Sequence, residues 1–141
     1  MDAALAQILN LLLESERAGV IALDHLAREA GHDELRRFLL AAKQDEARNA
    51  ARIEELIKAG GSAPSDRTGP FAAKVAALGS LRERLDLMSR GQEWVARKVE
   101  EALAIAPDGP IRDFLNQMAN HHRHEVEWGR AELIRLMGDL P

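Results

Sequence analysis

The sequence predicts an all-α protein, a four-helix bundle made of two antiparallel hairpins joined by one long crossover. Three observations carry this reading. Apolar residues recur at alternating steps of four and three along four long stretches. The connections between those stretches run short, long, short. The composition, 46% hydrophobic and 30% charged with Ala, Leu, Glu and Arg dominating, is that of helical bundles rather than of sheets or disordered tails. With 141 residues the chain is expected to form a single domain over 1–141, large enough to bury a core.

The first helix is expected over about 3–30, with Leu5, Leu9, Leu12, Glu16, Gly19, Leu23, Leu26 and Ala30 along its inward stripe and Gly31 as its stop. Asp33 reads as the cap of a second helix over about 33–59, with the stripe Leu35, Leu39, Ala42, Glu46, Asn49, Ile53 and Leu56. The Gly60-Gly61 pair ends it. So short a turn between the two predicts an antiparallel hairpin. A crossover over about 60–79 follows, rich in Gly, Pro and Ser, with a short helical turn from Phe71 to Leu78. Ser80 and Glu83 form a capping-box pattern that opens a third helix over about 80–106, with Leu81, Leu85, Met88, Gln92, Val95, Val99 and Ala102 inward. Pro107-Asp108-Gly109-Pro110 breaks it. The fourth helix, over about 110–137, turns Ile111, Leu115, Met118, His122, Glu125, Gly129, Leu133 and Leu136 inward.

Two polar triplets sit on these stripes at identical spacing. Glu16, Glu46 and Asn49 form the first; Gln92, His122 and Glu125, each 76 positions later, form the second. All six fall near the middle of their helices, so the topology puts them in one layer. An unpaired buried charge costs several kcal/mol or more, so carboxylates on a core stripe point to a site. A residue and its i+3 neighbour share a helix face, so Glu46 with Asn49, and His122 with Glu125, aim at one point. Carboxylate oxygens and imidazole nitrogen suit Mn, Fe or Zn, whereas carboxamide oxygens are weaker ligands. Glu16, Glu46, His122 and Glu125 are therefore the candidate metal ligands, with Asn49 and Gln92 as weak or supporting ones.

At these residues the chain resembles the ferritin-like superfamily, in which two helices each give one Glu and the other two each give Glu-x-x-His to a dinuclear metal site. The resemblance covers essentially the whole chain. Thr68-Gly-Pro-Phe71 and the stretch from Arg90 to Lys98 are also similar to small bacterial ferritin-like bundles of no established activity. It implies one or two divalent transition-metal ions and redox chemistry on oxygen or peroxide. Only Glu16 and Glu46 match the family in type: Asn49 stands where it has His, Gln92 where it has Glu, and His122 with Glu125 carries the motif in reverse order. Three Glu and one His suit one divalent ion, and hold two only with help from solvent or carboxamide.

Alternatives stay open at several positions. His121, four residues before Glu125, is an alternative inward imidazole, and Glu93 is an alternative inward carboxylate if the third helix turns slightly. His25, His32 and His124 read as ordinary polar residues. Trp94 and Trp128 flank the polar layer, while Met88 and Met118 read as core. The six polar residues also admit a metal-free hydrogen-bond network that fixes helix register, in a bundle that serves as an oligomerisation or interaction module.

Other classes of function lack their chemistry. The absence of cysteine removes disulfides, thiolate nucleophiles and zinc fingers, and fits a reducing cytoplasm. A net charge of −4 with acids and bases interleaved offers no nucleic-acid footprint. No stretch approaches the roughly 18 apolar residues of a membrane span, and the start lacks the basic region of a signal peptide. The expectation is a cytoplasmic protein with no membrane or nucleic-acid partner. The first helix is apolar beyond its stripe, at Leu11, Leu13, Val20 and Ile21, which predicts a homodimer through that surface.

Overall fold

A computed structural model describes residues 1–124, 127 and 129–138. These form six helices: α1 (Ala3–Glu29), α2 (Asp33–Ala59), α3 (Phe71–Ala76), α4 (Leu81–Ile105), α5 (Pro110–His124) and α6 (Arg130–Met137). The protein is all-helical across the described residues. None of the described helices is long and apolar enough to cross a membrane.

Local chemistry sets the ends. Asp2 opens α1, its Oδ1 accepting from the Ala4 and Leu5 amides at 2.8 and 3.3 Å. Ser80 opens α4: its Oγ accepts from the Glu83 amide at 3.1 Å and donates to Glu83 Oε1 at 3.0 Å. At α2 the expected Asp33 cap gives way to His32, whose Nδ1 accepts from the Leu35 amide at 3.2 Å. Asp33 and Glu34 instead occupy the first turn, where a negative charge meets the positive end of the helix dipole. The α2 terminus is a Schellman turn at Gly60-Gly61: Gly61 takes φ 81°, and the Gly61 and Ser62 amides donate back to Lys58 O and Ile57 O.

Gly31 does not stop α1. Ala30 turns the chain out at φ −62° and ψ 125°, and Arg36 reaches back to Ala30 O at 3.1 Å and Ala27 O at 3.4 Å. The α4–α5 corner repeats this arrangement. Ala106 turns out at φ −74° and ψ 128°, and Arg112 donates to Ala106 O and Leu103 O at 2.7 and 2.8 Å. Each residue of the second corner lies 76 positions after its counterpart in the first. The offset of the polar triplets is thus also the offset of the turns.

The fourth helix departs from expectation. It is described as two helices, α5 and α6, and Glu127 and Gly129 between them take wider π-helical turns. Such a turn accommodates an extra residue, and beyond it Leu133 and Leu136 are buried, as their place on the stripe predicts.

Two apolar clusters form the core. One joins Leu5, Leu9, Leu12 and Leu13 of α1 to Ile53 and Ile57 of α2, Val95 to Ala102 of α4, and Leu115 and Met118 of α5. The other joins Leu23 and Leu26 of α1 to Leu35 and Leu39 of α2, Leu85 and Met88 of α4, and Leu133 and Leu136 of α6. The start of α1 therefore meets the end of α2 and the end of α4, which makes α1 antiparallel to both. Each long segment changes cluster at its midpoint, and those midpoints hold Glu16, Glu46, Gln92 and His122.

The crossover is strapped along α1. Asn10 Nδ2 donates to Ala63 O at 3.2 Å and Asn10 Oδ1 accepts from the Ser65 amide at 2.7 Å. Arg17 Nη1 donates to Ser65 O at 2.6 Å, and the Gly69 amide donates to Glu14 O at 3.3 Å. Of the apolar residues of α1 beyond its stripe, one joins the core. Leu13 is fully buried within the chain, Val20 is half-buried, and Leu11 and Ile21 remain exposed.

Candidate functional site

Glu16, Glu46 and His122 are the buried polar or charged side chains among the described residues, at 1%, 7% and 2% exposure. They come from α1, α2 and α5, at the level where the two apolar clusters part. Asn49 and Gln92 are half-buried at the same level. Glu125 and Trp128 lie outside the described residues.

A glycine makes room for the Glu46 carboxyl. A Cβ at Gly19 would stand 2.7 Å from Glu46 Cδ, far inside van der Waals contact. The Glu46 carboxyl thus lies against the bare backbone of α1, one turn from Glu16. From the other side Gln92 Nε2 donates to Glu46 Oε1 at 2.9 Å. Gln92 Oε1 is buried and has no hydrogen-bond partner among the described residues. The carboxamide therefore joins α4 to α2 and leaves an oxygen in the layer.

The alternatives that helix rotation leaves open take definite positions. Gln92, not Glu93, meets Glu46; Glu93 pairs with Arg130 of α6. His122, not His121, is buried. His121 is exposed and turns its Nε2 towards Asp45 Oδ2 at 3.5 Å. The Asp45–His121 and Glu46–His122 positions are neighbours in sequence, so the outer contact brings α5 against α2 beside the polar layer. His124 is exposed, and Met88 and Met118 are core.

Burial pushes the His122 imidazole down from its usual 6.5 to about 4, and the neighbouring His121 adds to the effect. His122 is thus a neutral imidazole at neutral pH, the form with a lone pair free to bind a metal or accept a hydrogen bond. The donor set suits a divalent ion in kind: two carboxylates, a neutral imidazole and a carboxamide oxygen. Among the described residues no three His, Asp or Glu side chains gather closely enough to enclose an ion, so a full shell draws on more than these.

The layer is reached from the surface. A cleft of about 570 Å³ between α1, α3 and α4 ends on Glu46 and Gln92. A second, of about 300 Å³ between α4 and α5, ends on His122. Sequence reasoning marks Gly19 only as a stripe position. Its use as space for a carboxyl follows from the helix spacing, and the one sequence signal is a glycine among leucines one turn after Glu16.

These features define an all-α protein with a buried carboxylate and imidazole layer opened by surface clefts. Residues 3–132 match the family described as domain of unknown function DUF6306, and the chain belongs to that family. No curated protein and no solved structure matches the chain.

Proposed function

We propose that this chain is a ferritin-like four-helix bundle that holds a divalent transition-metal ion, Fe, Mn or Zn, in its middle layer. The observation that carries the reading is the burial of Glu16, Glu46 and His122 at the level where both apolar clusters stop. Two carboxylates and a neutral imidazole withdrawn from water at one level are the donors such an ion needs, and the desolvation penalty they incur is offset by a cation. Glu125 completes the set from the sequence, with Asn49 and Gln92 as weaker oxygen donors. A bound Fe or Mn would supply redox chemistry towards oxygen or peroxide.

Elemental analysis of untagged protein from metal-supplemented cells tests this. Near-stoichiometric metal in the wild type, lost in Glu46→Ala, is the expected result. A protein that stays metal-free and resists reconstitution overturns it.

One contact favours a second reading. The Gln92–Glu46 hydrogen bond at 2.9 Å satisfies a buried carboxylate without any ion, as a register-setting network would. On that reading the bundle is an interaction module. Ile21, 41% exposed on α1, supports a homodimer under either reading, and sedimentation at rising concentration checks it. The cysteine-free composition supports a cytoplasmic location.

A further inference from the structure

We propose that the cleft between α1, α3 and α4 binds a small amphipathic carboxylate, its anionic head at the rim and its apolar body against the walls. The volume of about 570 Å³ lies in the range of small-molecule pockets. Leu11, Phe71, Leu87 and Trp94 line it with apolar surface. Two glycines keep it hollow: Gly69 adds no side chain to the wall, and Gly91 gives its place to the Phe71 ring, whose Cζ would stand 2.7 Å from a Cβ there.

The rim is cationic. Lys74, Arg90 and Arg97 are exposed around the cleft, where they outnumber Glu14. Arg90 is engaged by Asp86 at 3.1 Å, whereas Lys74 and Arg97 make no ion pair among the described residues. Across the molecule Arg and Lys side chains commonly find acidic partners, so two unengaged cations facing an apolar hollow form a ready anion acceptor. The far end carries Glu46, and its carboxyl together with Gln92 Oε1 repels a second carboxylate. Charge therefore fixes the ligand's direction, head outward and body inward. Binding at the cationic rim needs no ion in the layer, and the repulsion from Glu46 applies to the chelator-treated protein.

Calorimetric titration of the chelator-treated 141-residue chain with sodium decanoate tests it, with decyltrimethylammonium as the opposite-charge control. Saturable one-to-one binding is expected, weakened roughly tenfold in Lys74→Gln/Arg97→Gln, with no competition from the cationic control. Both substitutions lie on exposed positions outside the polar layer, and circular dichroism of the variant checks its fold. Absence of saturable binding, equal affinity in the double variant, or equal binding of decyltrimethylammonium overturns the proposal. So does a concentration-dependent dimer that excludes decanoate, since a second copy of the chain would then be the occupant.

Discussion

The hairpin of α1 and α2 and the hairpin of α4 and α5 share one register, in which a residue of the first corresponds to the residue 76 positions later in the second. The scaffold positions agree: Leu9 with Leu85, Leu12 with Met88, and Leu39 with Leu115 are all buried pairs. The corner residues Ala30 and Arg36 correspond to Ala106 and Arg112 and make equivalent hydrogen bonds. The polar layer does not agree. Glu16 and Glu46 in the first hairpin face Gln92 and His122 in the second, and Gly19, which admits the Glu46 carboxyl, corresponds to Val95. Among the described residues the first hairpin thus carries the buried acids and the space for them, while the second supplies a carboxamide and an imidazole. The teaching is electrostatic: a carboxylate at both 16 and 92 would crowd like charges around Glu46, and a carboxamide at 92 turns that repulsion into a hydrogen bond.

Restoring the missing symmetry is the most severe test. Gln92→Glu places a further carboxylate beside Glu46 and removes its donor, which is expected to destabilise chelator-treated protein by about 3 kcal/mol. Urea unfolding with and without Mn²⁺ measures it. Recovery of the loss with the ion sharpens the metal reading, and an equal loss in both conditions breaks it.

The imidazole of the second hairpin gives a pH dependence with no counterpart in the first. His122 titrates near 6.5 when unfolded and at about 4 when folded, so the unfolded chain takes up the proton first. Its contribution to stability is full above pH 6.5 and is lost as the pH falls to about 4, a change of about 3 kcal/mol. Unfolding midpoints of chelator-treated protein at pH 7.5 and 4.5 should show that extra slope in the wild type, and His122→Gln should remove it.

A smaller effect is expected at the glycine that distinguishes the two hairpins. Gly19→Ala would push the Glu46 carboxyl away from α1 and off Gln92, at a cost of about 2 kcal/mol. The variant's thermal midpoint tests this, and an unchanged value would mean that the carboxyl relocates freely. The corners should differ least. Arg112→Ala is expected to cost about 1.5 kcal/mol and Arg36→Ala about 1 kcal/mol, because Arg112 makes the shorter contacts. Paired denaturation curves check the ranking.

The helical class and most helix limits are legible in the sequence because a period of 3.6 and the cap residues act locally. The stripe that carries Glu16, Glu46 and His122 is legible for the same reason. The His32 cap is not, since Asp33 satisfies the same pattern and only the chain's path selects between them. Nor does periodicity choose between Gln92 and Glu93, adjacent positions at the edge of one face. Their assignment comes from Glu46 on one side and Arg130 on the other, partners brought in from distant parts of the chain. The all-round apolar character of α1 is visible in the sequence, but the strapping of the crossover to Asn10 and Arg17 is not, because that contact joins segments more than 45 residues apart.

The two arginine corners bear on the order in which the protein assembles. Arg36 and Arg112 reach back only six and nine residues, so each corner closes over a short loop. Contacts of such low sequence separation form on the microsecond scale and need no other part of the molecule. Each hairpin can therefore reach its alignment while the crossover is still loose. The carboxylates and the imidazole then leave water late, in the docking step that joins the two halves, where one charge too many hastens unfolding more than it slows folding.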